Sequence, residues 1–519
     1  MKSRLTAFVL LAFIPIHLAT AASAERTISR AALRDKIRGA WAGQMIGVAY
    51  GAPTEFKSLA KIHEAPIKPE TIENAIVQDD LYVEMTFAKV MDTIGLDATS
   101  ADYGEAFRRS RYQLWHGNAG ARRNLMRGLA APLSGDPRYN IHCEDIDFQI
   151  ESDFIGIMCP GLPREAQRLA DRVGRVMGYG DGLYGGMFIA GMYSAAFFET
   201  DPHRIVAAGL ACLPPESAYG RIIRDLIAWH DAHPHDWRKV WQLLEDKWDR
   251  DDMCPDGVQR AFNIDAKLNG AYLALGLLAG DGDWQRTMEI ATRCGQDSDC
   301  NPSSACGVLG ALLGFERIPA EHRAAVLSIA HRKFDFTDYS FEDIVASTER
   351  RALLAIERAG GRVTEREVTI PVQTPTPPPL ETSGYGRPVG IFSSDTANWT
   401  WHGAWILKDG FVWSDKYVAH EAQGAGSEAE FRFHGTGVAL MGDLVHDGGR
   451  AEVFIDGQKS DLLADAFLPE DATHDNDLWR VRGLPDGEHV LKLVTLDSAD
   501  PRSTGRRLAI LRAVVYRTP

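Results

Sequence analysis

Beyond residue 28 the apolar positions fall at helical spacing. Leu33, Ile37, Trp41, Met45 and Val48 mark one face, the three-and-four spacing of a helix with one buried side. Gly39, Gly43, Gly47 and Gly51 form a four-spaced row in the same segment. A glycine costs a helix about 1 kcal/mol relative to alanine, so the row predicts close approach by a second helix. Gly307, Gly310 and Gly314 repeat the device, and Gly185 to Gly191 do so more loosely. Segments 163–177, 184–198, 220–230, 268–279, 284–294, 303–314 and 320–332 are further helix candidates. Together they predict a mostly helical domain over residues 28–362.

The texture changes at Thr364. Pro371, Pro375, Pro377, Pro378 and Pro379 predict an extended, Pro-rich linker over 363–386. Beyond it short alternating runs dominate: Glu428–Phe433, Val438–Met441, Ala451–Ile455, His489–Val494 and Leu508–Tyr516. Asp456-Gly457 and Asp486-Gly487 are hairpin-type turn signals. Residues 387–519 are therefore expected to form an all-β sandwich or jelly-roll domain. Trp399, Trp401, Trp405 and Trp413 crowd its first part. Aromatic faces can stack on sugars, but tryptophans in a sandwich are more often core.

The 519 residues, 45% hydrophobic and 24% charged, suit a globular protein of two or three domains. Lys2 and Arg4, an apolar run from Leu5 to Leu18, and Ala22-Ser23-Ala24 before Glu25 have the layout of a signal peptide over 1–24. The run contains Pro15 and His17 and is short for a membrane span. The chain is thus expected to be exported, periplasmic or extracellular, without stable membrane insertion. A formal charge of −15 argues against nucleic acid as the main partner. The seven cysteines, Cys143, Cys159, Cys212, Cys254, Cys294, Cys300 and Cys306, cannot all pair internally. A disulfide or two fits an oxidising compartment, whereas a disulfide-built scaffold does not.

Two acidic clusters carry the candidate chemistry: Gln78-Asp79-Asp80-Leu81 and Gly295-Gln296-Asp297-Ser298-Asp299-Cys300-Asn301. An isolated buried carboxylate is costly unless it is exposed, paired or given a metal. A fold that joins the clusters makes an oxygen-ligand site for one or two hard divalent cations. Taken alone, Asp79 and Asp80 are more simply the acidic first turn of a helix. Other groups point less sharply. Pro234 breaks the helical register among His230, His233 and His235, so a solvated helix end is expected rather than zinc. Asp145, Asp147, Glu151 and Asp153 read as a solvated or pocket-rim face, and Asp281-Gly282-Asp283 as an inter-helix turn.

Three motifs, in this order, carry a resemblance: Arg38–Glu55, then Gln78–Leu81, then Asp297–Cys300 with the small-residue helix through Gly314. From roughly Ile37 to Ile318 the chain resembles the ADP-ribosylglycohydrolase family. The resemblance implies an all-α catalytic domain holding two Mg²⁺ or Mn²⁺ ions. It makes Asp79, Asp80, Asp297 and Asp299 metal ligands, and Glu55 the catalytic carboxylate at the reacting sugar. The chain departs from the family at three places. Gln78 stands for a threonine ligand, and its amide oxygen can still coordinate. Cys300 stands for another threonine, and a thiol is a poor partner for Mg²⁺. The stretch Tyr179–Gly186 replaces a substrate-facing histidine motif, with Asp181, Tyr184 and Gly185 as candidates for the pocket wall. The C-terminal module resembles jelly-roll accessory domains of secreted polysaccharide-processing enzymes.

The expected protein is an exported, metal-dependent glycosyl hydrolase of an ADP-ribosyl or related furanosyl bond. Export favours a carbohydrate or nucleoside-type substrate, a small-molecule sugar or glycan. Linkage and oligomeric state stay open. A rival reading is a non-catalytic exported carbohydrate- or ligand-binding protein with a structural cation. A second, phosphoryl transfer through Asp297-x-Asp299, lacks a Gly-rich phosphate loop or a basic partner.

Overall fold

A computed structural model describes residues 24–249, 252–412, 415–470 and 473–518. The expected signal peptide, except Ala24, and Trp413 lie outside the described residues. Sixteen α-helices among the described residues occupy the N-terminal part, and antiparallel sheets the C-terminal part. No described helix is long and apolar enough to cross a membrane.

The first helix, Arg30–Gly51, starts where the Ser29 hydroxyl accepts the Ala32 N–H at 3.1 Å, satisfying a donor that a helix start leaves free. It packs antiparallel on the helix Cys300–Leu313. A Cβ placed at Gly39 would lie 2.3 Å from the Gly310 oxygen, and at Gly43, Gly47 and Gly51 it would lie 2.1 Å from the oxygens of Cys306, Pro302 and Ser298. The glycine row therefore meets one backbone carbonyl per turn, as close helix approach requires. Sequence separation hid the partner, while the spacing revealed the face.

The helices Pro163–Gly174, Asp181–Ala196, Ala218–Ala232, Ala266–Gly280, Trp284–Arg293 and Ala320–Ser328 match the periodic segments. Asp281, in the left-handed conformation at φ 50°, makes the expected turn. A small sheet of Glu25–Ser29, Glu367–Pro371 and Arg362–Val363 closes the helical part. Its middle strand lies inside the stretch read as a linker. Val368 and Ile370 are buried in the helical core, which is why this part of the stretch packs.

Two six-stranded antiparallel sheets follow. Glu428–Gly435 alternates buried and open positions. Its Phe431 and Phe433 meet Leu440, Ala513 and Val515 of the facing sheet in one core. Asp456-Gly457 has positive φ at both residues, 51° and 78°, and joins Ile455 to Gln458, the two-residue hairpin expected. Asp486-Gly487 does not make a hairpin. The strands before and after it, Thr473–Val481 and Gly487–Ala499, belong to different sheets, so the segment is a crossover.

The β-part docks on the helical part through buried charge and apolar contact. Arg123 donates to Asp477 at 2.5 Å, with both side chains under 5% exposed, and Arg480 pairs with the same carboxylate. Met253, Val258 and Ile141 pack against Tyr385, Val514 and Tyr516.

Candidate metal centre

The helix Asp79–Ile94 begins after Gln78, with Asp79 and Asp80 in its first turn. Asp299 occupies the N-cap position of Cys300–Leu313. Each acidic motif thus sits at a helix N-terminus, where the backbone dipoles favour negative charge. The helix-start reading of Asp79-Asp80 holds, with Gln78 at the N-cap position and both acids in the first turn. Packing of the glycine row sets Gly51 against Ser298. Thr54 Oγ1 lies 2.8 Å from Ser298 Oγ, and the Phe56 N–H donates to the Gln296 oxygen at 3.0 Å. Glu55 is held between these two contacts.

The clusters converge. Ligand-type atoms of Asp79, Asp80 and Cys300 lie within 4.8 Å of one another, as do those of Asp297, Asp299 and Cys300. Cys300 is common to both sets. Asp80, Asp297 and Asp299 are buried, and each keeps one Oδ1 with no hydrogen-bond partner. Burial raises these carboxyls above the ordinary range, and repulsion between neighbours adds to it at Asp80 and Asp297. Asp79 is pushed up to about 6 by burial and Asp299. Asp80 rises by burial, then Asp79 and Asp299, and Asp297 by burial, then Asp299 and Glu55. Glu55 opens to solvent. Desolvation of its carboxyl, then the charges of Asp299 and Asp79, push it up to about 8. Unpaired inward oxygens on crowded acids are what a divalent cation neutralises.

Behind this layer lies a second one that the sequence did not single out or placed wrongly. Asp145, Asp147, Glu151 and Asp153 are buried, which overturns the solvated alternative of the solvated or pocket-rim face expected. Their charge is taken up by local donors. Asp147 accepts the N–H groups of Gly117 and Asn118 at 3.1 and 2.9 Å. Asp153 accepts from Tyr193 at 2.6 Å and Ser304 at 3.1 Å. Glu84, fully buried one turn after Asp80, accepts the Phe154 N–H at 2.8 Å. Its signal was a lone acid inside the apolar run from Leu81 to Phe87. Tyr82, raised by burial and then Asp79, stands beside the centre. It packs on Tyr112 and on Phe336, which is 61% exposed.

Other sequence candidates are placed elsewhere. Gln78 Nε2 donates to Asn74 Oδ1 at 2.8 Å, which leaves its amide oxygen as the coordinating atom on offer. Tyr184 is not a pocket wall: its hydroxyl donates to the Pro379 oxygen at 3.1 Å and accepts the Glu381 N–H at 2.7 Å, tying down the proline-rich stretch. A Cβ at Gly185 would touch Gln149 and Ala266, so this glycine serves helix packing. Asp181 is half-buried, beside Lys267, and accepts the Tyr219 N–H at 3.1 Å. His230 is buried against His203 at 3.2 Å rather than solvated. All seven cysteines are free and buried, so the disulfides allowed by the sequence do not form. Trp399 is core, with Trp401 stacked on it at 5.2 Å.

A protein-family model described as ADP-ribosylglycohydrolase matches residues 29–355. Among solved structures, the chain is similar to an "ADP-ribosylglycohydrolase-related protein complex" at TM-score 0.41 and 17% identity, over 63% of this chain and 99% of that one. It is also similar to a Paenibacillus xanthan lyase at TM-score 0.21 and 11% identity, over 29% of this chain and 15% of that one. A two-domain esterase active on acetylated mannans aligns at TM-score 0.23 and 10% identity, over 38% and 54%. No curated protein matches the sequence.

Proposed function

Because the chain belongs to the ADP-ribosylglycohydrolase family, we propose that it is an exported, divalent-metal-dependent glycosyl hydrolase acting on a furanosyl bond. The observation that carries this reading is the set of unpartnered inward oxygens on Asp80, Asp297 and Asp299. Those atoms, with Asp79, fit two Mg²⁺ or Mn²⁺ ions, and the amide oxygen of Gln78 can complete the set. When bound, such ions grip adjacent sugar hydroxyls and stabilise developing charge.

The chain's own residues do the rest. Glu55, at the solvent-facing side of the cluster, is placed to pass a proton to the departing oxygen. The surrounding carboxylates favour the oxocarbenium-like charge that grows on the sugar as that bond breaks. The Thr54–Ser298 contact and the Phe56 N–H bond to Gln296 fix where Glu55 stands, so the acid is preorganised. Phe336, packed on the buried Tyr82, offers an exposed apolar face to the substrate.

The substrate we assign is a carbohydrate or nucleoside-type furanoside, since residues 1–24 have the layout of an export signal. The catalytic unit spans 28–362 together with the strand Glu367–Pro371 that packs into its core, with the β-sandwich at 387–519 as an accessory module. The test is sugar release from a furanoside panel with Mg²⁺ or Mn²⁺, comparing wild type with Asp297→Ala and Glu55→Gln. Metal-dependent release lost in both variants supports the reading. No release from any member replaces it with a ligand-binding role.

A further inference from the structure

A second group of ligand atoms lies outside the acidic cluster. His116 opens the helix His116–Met126, His142 lies in the loop after it, and Cys254 and Asp256 come from a loop near the β-part. One ligand-type atom from each of the four lies within 4.8 Å of the others. Cys254 Sγ is 3.5 Å from His142 Nδ1 and 4.0 Å from His116 Nδ1. His116 Nδ1 is 3.7 Å from Asp256 Oδ2. Ligands about 2.0–2.3 Å from a tetrahedral ion lie roughly 3.3–3.8 Å from each other, so these separations are near those of a first coordination shell.

We propose that His116, His142, Cys254 and Asp256 form a second divalent-cation site, selective for a borderline cation of the Zn²⁺ class over Mg²⁺. The donor set argues for this. Imidazole and thiolate ligands suit Zn²⁺, whereas Mg²⁺ wants oxygen. The charge argues for it too. Asp145 Oδ2 stands 2.9 Å from His142 Nδ1 and 3.7 Å from His116 Nδ1, while Asp145, Asp252 and Cys254 form an overlapping group of their own. Cation binding releases the Cys254 proton and the one shared between His142 and Asp145 to solvent.

The supporting shell is built. Asn140 Oδ1 accepts the His142 backbone N–H at 3.1 Å. Arg512 holds Asp256 Oδ1 at 3.4 Å and the Pro255 oxygen at 3.1 Å, and Tyr516 donates to the Met253 oxygen at 3.0 Å. The loop is thus anchored by a strand of the β-part while its ligands reach into the helical part. His116 and Asp256 are partly open, at 19% and 34%, which gives an ion a way in. Phe262 stacks on His116 and packs on Phe56, so an apolar wall stands between this site and Glu55.

The experiment uses Co²⁺ as an optical probe of the whole protein with Mg²⁺ in excess. One equivalent is expected to give a near-ultraviolet thiolate-to-cobalt band and strong visible bands of tetrahedral Co²⁺, both displaced by Zn²⁺. Cys254→Ser should abolish the near-ultraviolet band, and Cys300→Ser should leave it. His116→Ala, at a partly open position, should weaken Co²⁺ binding more than about tenfold with the fold intact by circular dichroism. Absence of a thiolate band at saturation overturns the proposal. So does a band that follows Cys300 instead of Cys254, or unchanged affinity in His116→Ala.

Discussion

The Cys300 thiol donates to Asp80 Oδ2 across 3.3 Å, joining two acidic motifs that lie far apart in the chain. The bond places a soft sulfur between two sets of hard carboxylate oxygens. Cys300→Ser keeps a donor to Asp80 and substitutes an oxygen, which suits Mg²⁺ better. The expected outcome is Mg²⁺ affinity equal to or several-fold above wild type by isothermal titration. A loss of affinity would show that sulfur is needed at the centre.

Asp80→Asn replaces a buried, crowded acid with a neutral amide. In EDTA the variant should be more stable than wild type, by about 1–2 kcal/mol, because desolvation and repulsion are relieved. With Mn²⁺ the order should reverse, since wild type gains ligand-linked stability and the variant gains little. Urea unfolding with and without Mn²⁺ measures both signs.

Glu55→Gln keeps the size and removes the transferable proton. We expect kcat on a cleavable furanoside to fall by about 10²–10⁴, with metal-induced thermal stabilisation retained. Parallel loss of metal binding would instead make Glu55 a ligand.

The metal-free protein should lose stability as pH rises from 5 to 8. Burial pushes Asp153 up to about 7 and Glu245 up to about 8, and burial with the Asp181 charge pushes Glu144 up to about 7. Carboxyls of an unfolded chain titrate near pH 4, so across this window the native state holds protons that the unfolded state has released. Their contribution is complete below about pH 4 and gone once pH passes the folded values. Urea midpoints in EDTA at pH 5.5 and pH 8 test this, and a higher midpoint at pH 8 would contradict it.

Asp477→Ala leaves Arg123 and Arg480 buried at the junction without their carboxylate. Removing one partner of a buried pair costs about 3–5 kcal/mol. Scanning calorimetry should show the β-part and the helical part unfolding less cooperatively than in wild type.

Gly47→Ala would improve helix propensity by about 1 kcal/mol on an open face. Here the added Cβ meets the Pro302 oxygen, so a net loss of about 1–3 kcal/mol is expected from overpacking. A stabilised variant would mean that the helices separate at little cost.

Local pattern determined much of this protein. Helical period placed the bundle, the four-spaced glycines named the close-packing face, and the motif order carried Glu55, Asp79, Asp80, Asp297 and Asp299. These were legible because period, turn chemistry and short motifs are properties of neighbouring residues. Tertiary structure decided what depends on residues far apart. It buried Asp145, Asp147, Glu151 and Asp153, which look solvent-facing in a linear reading, because donors such as Asn118, Tyr193 and Ser304 arrive from other helices. It turned Tyr184 onto the Pro379–Glu381 backbone and packed Val368 and Ile370 where prolines suggested a free connector. It also brought His116, His142 and Cys254 together, which no spacing along the chain announces. Whether a carboxylate is a solvated face, a helix cap or a ligand is set by the dielectric and donors around it, and only the folded chain supplies those.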